Sequence, residues 1–343
     1  MLDDLQYIHQ RDSQDALGVA SKEWQQLQQI FQTNWQPENN INAVILAGMG
    51  GSALGALIAQ SWLRINKPFE IVRDYSLPEY AGNETLVIIS SYSGNTEESL
   101  SALRDANRRG CQIVVVSSGG EETTIAEQKP YPLLRLPTGL QPRMAVYYDL
   151  AAITQLFVNA GLCPAERLHE LHETGEWLKE KSAGWYIDVP TKTNAAKTIA
   201  QELIGKSIVI YSGPRLYPAA YKWKISFNES AKHIAWVNQL PEFNHNEMLG
   251  WTKQPVDKPY AVIDLRSSLE HDRIQKRFTV TEQLLSGMRP APIIVSVQGE
   301  TILQQLVWTI TLGDFISLYT ALLGNIDPTP VDLIEKFKKT MAE

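Results

Sequence analysis

Two loops combine residue types that could hold a charged small molecule. Gly48-Met-Gly-Gly-Ser52 follows an apolar run ending at Ala47, and Ser90-Ser-Tyr-Ser-Gly-Asn-Thr-Glu-Glu98 follows another, Thr85–Ile89. Glycines let a backbone come close to a ligand, and a helix opening after such a loop presents free N–H groups to an anion. Ser91, Ser93 and Thr96 add three hydroxyls at a second helix start. A phosphate monoester needs several donors at once and matches that set. Plainer readings stand beside this one. Gly48-x-Gly50-x-x-Ala53, with Glu70 or Asp74 downstream, also fits a dinucleotide fingerprint. A serine or threonine before a helix is commonly an N-cap. Gly205-Lys206-Ser207 resembles the end of a triphosphate-binding loop, but residue 200 is Ala and the segment enters a strand, which excludes that reading.

Residues able to move protons or stabilise charge lie further along. Enolisation beside a carbonyl needs a base at the carbon acid, a donor or cation at the developing oxyanion, and an acid/base for ring opening. Glu229, in Asn228-Glu-Ser-Ala-Lys-His233, is a candidate base on a helix; the alternative is an exposed Glu229–Lys232 pair. His245, in Pro241-Glu-Phe-Asn-His245, could titrate near neutrality, or simply be hydrogen-bonded in its loop. Arg143 could face an oxyanion or form a surface ion pair. Thr329 and Lys336 follow the turn Asp327-Pro-Thr-Pro330, where a lysine is most often solvated charge. His169 and His172 share a helix face but lack a third ligand, so no metal site is expected. The two cysteines, Cys111 and Cys163, form no CxxC and no disulfide framework, which suits a reducing compartment.

The elements that must position these groups alternate strand and helix. Apolar runs at Asn42–Ala47, Phe69–Val72, Thr85–Ile89 and Cys111–Val116 are separated by helical stretches, a further strand is expected at Leu133–Leu136 before a helix starting near Arg143, and a helix is expected over residues 1 to about 35. The pattern repeats at Ser207–Tyr211, Tyr260–Leu265 and Pro292–Val297, so two similar α/β domains are expected, each a mainly parallel, doubly wound sheet flanked by helices. The expected boundaries are 1–155 for the first domain, 156–194 for a helical connection and 195–343 for the second domain. The chain has 343 residues, 44% hydrophobic and 20% charged, with 31 basic and 38 acidic side chains and a formal charge of −7. That excludes a disordered chain or a small disulfide scaffold, and argues against a basic nucleic-acid or membrane-surface binder. The acidic start, without an apolar leader, points to the cytoplasm.

Taken in order, GMGGSALG, SSYSGNTEES, PRMAVYYDL, NESAKH, LPEFNHNEMLGW and LGNIDPTPVDLIEKFKK resemble the bifunctional phosphoglucose/phosphomannose isomerases, which have two sugar-isomerase (SIS) domains. The resemblance implies an aldose–ketose isomerase that interconverts glucose 6-phosphate and mannose 6-phosphate with fructose 6-phosphate through a cis-enediol(ate). It implies Glu229 as the base between C1 and C2, and His245 for ring opening, delivered from the neighbouring subunit of a homodimer. Arg143 matches the group that stabilises the enediolate, and Thr329 and Lys336 the pair that lines the sugar. Ser52, Ser91, Ser93 and Thr96 match the 6-phosphate cradle, with Gly50 and Gly51 supplying close backbone. No cofactor, metal, nucleic acid or membrane is implied. A noncatalytic sugar-phosphate sensor on the same fold is the alternative, and a dehydrogenase ranks third.

Overall fold

The computed structural model describes residues 1–253 and 259–341. In chain order the helices are α1 (Leu5–Arg11), α2 (Ala16–Ala20), α3 (Leu54–Leu63), α4 (Glu97–Arg108), α5 (Gly120–Gln128), α6 (Val146–Asn159), α7 (Glu166–Ser182), α8 (Ala195–Leu203), α9 (Tyr217–Ser226), α10 (Asp272–Leu284), α11 (Ile302–Leu323) and α12 (Asp332–Met341). The strands are β1 (Ala43–Ala47), β2 (Phe69–Val72), β3 (Thr85–Ser91), β4 (Gln112–Ser117), β5 (Leu133–Arg135), β6 (Ser207–Ser212), β7 (Ala235–Gln239), β8 (Tyr260–Arg266) and β9 (Ile293–Ser296). They gather into two compact units, Lys22–Lys179, and Met1–Ser21 with Glu180–Glu343. The chain passes from one to the other within α7.

In the 22–179 unit five parallel strands run in the order β2-β1-β3-β4-β5. Every residue of β1 and β3 is buried, as strands covered on both faces must be. Ile45, Val87 and Val115 pack with Leu103 and Ala106 of α4 and Ala126 of α5 on one side. After β1 the chain moves to one edge to make β2, then returns past β1 to make β3. The loops leaving β1 and β3 therefore diverge at a topological switch point, where an open α/β sheet accepts a ligand.

In the second unit four parallel strands run in the order β7-β6-β8-β9, with the same reversal between β6 and β8. Strand β7 is absent from the sequence reading. It is an edge strand in which Trp236 is exposed, so its pattern lacks the apolar run of a covered strand. Helix α11 opens with a capping box between Thr301 and Gln304 and packs on α8 and α9. It is long and apolar enough to cross a membrane, but 94% of its most apolar window is buried in the protein.

Residues 1–21 pack with this second unit, whereas the sequence reading grouped them with the first sheet. Their hydrogen bonds show why. The Tyr7 hydroxyl donates to the Leu322 carbonyl at 2.6 Å, Ser13 donates to Asp327 at 2.7 Å, and Asp3 accepts from the Thr191 N–H at 2.8 Å. The single helix expected over residues 1–35 is also broken. Asp15 takes a left-handed conformation at φ 55°, and Asp12 and Asp15 turn their carboxylates onto the N–H groups opening α2. Competition of this kind between aspartate side chains and the helical backbone ends one helix and starts the next.

Candidate active site

The loop after β1 tightens at once into a 3₁₀ turn, Gly50–Ala53, that leads into α3. The loop after β3 leads into α4. Backbone and hydroxyl groups join them: the Ser52 Oγ accepts from the Tyr92 N–H at 2.9 Å, and the Ser90 Oγ donates to the Ser52 carbonyl at 3.1 Å. Ser91 Oγ lies 2.8 Å from Thr96 Oγ1 and 3.5 Å from Ser93 Oγ, and accepts from the Gly94 N–H at 3.1 Å. Thr96 is the residue before α4, yet its side chain makes no capping bond. Its hydroxyl is turned to Ser91, so simple helix capping does not account for it.

Arg143 joins the same group. Gly51 lies so close to the turn Pro142–Met144 that a Cβ there would meet the Pro142 carbonyl carbon and oxygen at 2.7 Å. This contact needs glycine and sets the buried Arg143 beside Gly50-Gly51-Ser52. The segment before it is tied down by Tyr92, whose hydroxyl donates to the Pro137 carbonyl at 2.7 Å and accepts from the Leu140 N–H at 3.0 Å. The structure thus unites Gly50, Gly51, Ser52, Ser91, Ser93, Thr96 and Arg143 at one end of one sheet.

Two acids under these loops escaped the sequence reading. Asp149, on the first turn of α6, is fully buried and hydrogen-bonded to Ser90 at 3.2 Å. Burial pushes its carboxyl well above the usual range, against the pull of Ser90. Glu122, near the start of α5, is also fully buried, and its backbone N–H donates to the Gly94 carbonyl at 2.9 Å. Burial pushes its carboxyl up to about 7, with Ser99 pulling the other way and Glu121 adding to the rise. An acid inside an otherwise apolar helical stretch, as in Tyr147-Tyr-Asp-Leu150, was the available signal for Asp149. Glu70 is engaged elsewhere, accepting from the Tyr80 hydroxyl at 2.7 Å.

The second unit carries the remaining candidates. Glu229 does not sit on a regular helix. It lies in a π-helical turn, Phe227–Ala231, that extends α9 and stops at Lys232, which is left-handed at φ 54°. Such turns widen a helix by one residue and re-aim its side chains, often at functional sites. Lys232 Nζ donates to the Glu229 carbonyl at 2.7 Å and to the Asp327 and Pro328 carbonyls at 3.3 Å. The Thr329 N–H donates to Asp327 at 3.0 Å. Lys232 therefore clasps the Glu229 turn to the segment that carries buried Thr329. His245 ends a short turn, Glu242–His245, and is exposed, as is Lys336 on α12. Neither belongs to the Lys232 hydrogen-bonded group. Among the described residues, no three His, Cys, Asp or Glu side chains converge as metal ligands would.

Residues 192–341 match the model of the bacterial phospho-glucose isomerase C-terminal SIS domain. A bifunctional phosphoglucose/phosphomannose isomerase of Caldicellulosiruptor bescii is 34% identical over 310 residues, covering 89% of this chain and 91% of that protein. One of Aquifex aeolicus is 30% identical over 301 residues, covering 87% and 90%. The solved structure of a glucose-6-phosphate isomerase like protein from Thermus thermophilus shares the fold at a TM-score of 0.63, with 20% identity and 98% of each chain covered.

Proposed function

We propose, since the chain belongs to the bifunctional phosphoglucose/phosphomannose isomerase family, that it interconverts glucose 6-phosphate and mannose 6-phosphate with fructose 6-phosphate. Each unit is read as one SIS domain. The observation that carries the reading is the hydroxyl group of Ser52, Ser91 and Thr96 at the tips of β1 and β3, with Arg143 set beside it by the Gly51 contact. The Ser91 and Thr96 hydroxyls, which bond each other rather than cap α4, and the Ser52 hydroxyl, held by the Tyr92 N–H, suit the oxygens of a phosphoryl group, with Ser93 and the backbone of Gly50 and Gly51 completing the cradle.

In this reading His245, supplied by the second subunit of a cytoplasmic homodimer, opens the ring with Lys336 assisting: the ring oxygen gains a proton as the O1 hydroxyl gives one up. Glu229 removes the proton from C2 of the open aldose. The electron pair moves into a C1–C2 double bond and the carbonyl oxygen becomes an enediolate oxygen. Arg143 stabilises that oxygen, which is the largest lever available to such a site. Glu229 returns its proton to C1 as the O2 hydroxyl proton passes to O1, leaving a carbonyl at C2 and a hydroxyl at C1, so the ketose forms with no net oxidation. Glucose and mannose 6-phosphates differ at C2 and collapse to the same planar enediol. Rotation about C2–C3 beside Thr329 lets Glu229 reach either face.

The test incubates the purified protein and a chelator with fructose 6-phosphate and resolves the products. Both glucose 6-phosphate and mannose 6-phosphate are expected. Recovery of fructose 6-phosphate alone overturns the reading.

A further inference from the structure

The two sheets share a strand order, and their equivalent loops can be matched residue by residue. Ala47 of β1 pairs with Ile89 of β3, and Tyr211 of β6 pairs with Asp264 of β8. Counting outward from these pairs sets Gly51 against Arg215, Ser52 against Leu216, Asn95 against Glu270 and Thr96 against His271. Local structure supports the match independently. The 3₁₀ turn after the central strand starts at Gly50 in one unit and at Pro214 in the other. Ser52 N–H closes its turn on Met49 and Leu216 N–H closes its turn on Gly213. Thr96 and His271 each stand immediately before the next helix.

With this match, the two units differ in one telling way. In the 22–179 unit, Asn95 faces away, accepting from the Glu121 N–H at 2.9 Å. In the second unit, Glu270 reaches back under the loop and is 7% exposed. Its Oε1 accepts from the Arg215 N–H at 2.7 Å. The carboxylate lies against Gly213, where a Cβ would meet Oε1 at 2.3 Å. Burial raises the Glu270 carboxyl, while the Arg215 and Leu216 N–H groups and the Arg215 charge pull it down. The hydroxyls change too: Ser52, Ser91 and Thr96 are replaced by Leu216, Arg266 and His271, and Ser268 keeps the place of Ser93.

We propose that Glu270 is an internal anion. Its carboxylate takes, in the second unit, the seat that the 22–179 unit offers to a phosphoryl group, and so confines phosphate binding to one site per chain. The carboxylate accepts from the N–H groups opening the α9 turn as a phosphoryl oxygen would, and once it is removed those N–H groups, the Arg215 charge and Ser268 supply donors and positive charge in place of the hydroxyl ring of the first unit. The substrate is thereby held beside Arg143 and not at the second switch point. This inference rests on reading the 22–179 loops as the phosphate cradle.

The experiment titrates inorganic phosphate into the full chain by calorimetry, using the unaltered protein, Glu270→Ala, a Ser91→Ala/Ser93→Ala/Thr96→Ala triple variant, and the combination of all four changes. The expected phosphates per chain are one, two, none and one, in that order. If Glu270→Ala gains no phosphate over the unaltered protein, and the four-fold variant none over the triple variant, the inference is overturned. Phosphate retained by the triple variant instead sinks the cradle reading, while the gain caused by Glu270→Ala still tests the internal anion. Glu270→Gln keeps the shape and an oxygen acceptor, and is expected to fold and to gain no phosphate. Recovery of folded Glu270→Ala in phosphate buffer but not in phosphate-free buffer supports the inference. Misfolding in both buffers while Glu270→Gln folds overturns it, because the site then needs side-chain volume and not an anion.

Discussion

The contact between Gly51 and the Pro142–Arg143 backbone makes a quantitative prediction for Gly51→Ala. The new methyl would stand 2.7 Å from the Pro142 carbonyl carbon and oxygen and 2.9 Å from the Arg143 nitrogen. Ordinary van der Waals contact begins at 3.4 Å, so the backbone must retreat by 3.4 − 2.7 = 0.7 Å. All three atoms are main chain, and none can swing aside as a side-chain tip would. Overpacking of this kind costs about 1–3 kcal/mol, which lowers the thermal midpoint by a few degrees. The displaced segment carries Arg143, and a shift approaching 1 Å at a group that stabilises charge costs on the order of 10–100-fold in rate. Coupled assays that follow fructose 6-phosphate formation from each aldose should show kcat/KM lowered by that factor for both. Scanning calorimetry should show the loss of stability in the same protein. Lowered stability with unchanged kcat/KM would refute the argument that this approach seats Arg143. Unchanged stability would refute the close packing itself.

Three further outcomes are expected. Glu229→Gln should lower both isomerisations by about 10²–10⁴-fold, the range for losing a general base. Calorimetry should still detect fructose 6-phosphate binding to it, and retained turnover would reassign the base. Thr329→Gln, which places a bulky amide beside the sugar, should reduce the mannose 6-phosphate reaction more than the glucose 6-phosphate reaction; equal losses would remove Thr329 from epimer selection. Glu122 has a carboxyl raised by burial from 4.5 to about 7. A raised folded-state pKa stabilises the protein fully below the unfolded value, and that contribution is lost as pH climbs through the folded value. The window runs from about 4.5 to about 7 and the loss is on the order of 3 kcal/mol. Urea midpoints of the unaltered protein should fall across it relative to Glu122→Gln, and parallel profiles for the two proteins would contradict the burial argument.

Much of the fold was legible because covered parallel strands announce themselves. Ala43–Ala47 and Thr85–Ile89 are apolar runs followed at once by Gly48 and Ser90, and both became central strands with their loops at the switch point. The edge strand β7 was not legible, because Trp236 is exposed and Val237, Asn238 and Gln239 are only partly covered, so the strand carries mixed polarity. The opening helix was overread: Leu2, Leu5 and Ile8 have helical spacing, but that signal says nothing of Asp12 and Asp15, which cap a new helix instead of continuing the old one. For the cradle, residue type pointed to Ser91 and Thr96, but whether their hydroxyls cap a helix or face each other depends on side-chain rotamers that spacing does not fix. The π turn at Glu229 and the Lys232 clasp depend on the Asp327 and Pro328 carbonyls, far along the chain, which no local pattern encodes. Glu270 was invisible for the same reason, since its role appears only when two loops of one sheet are set beside two loops of the other.

The discontinuity of the second unit has a consequence for biosynthesis. The 22–179 unit is one uninterrupted stretch, so it can complete its sheet while later residues are still being translated. Met1–Ser21 are translated before that stretch, but their hydrogen-bonding partners, Leu322 and Asp327 among them, are translated only after it. While the 22–179 stretch is being made, Leu2, Ile8 and Leu17 therefore wait for a core whose other residues have not yet been translated.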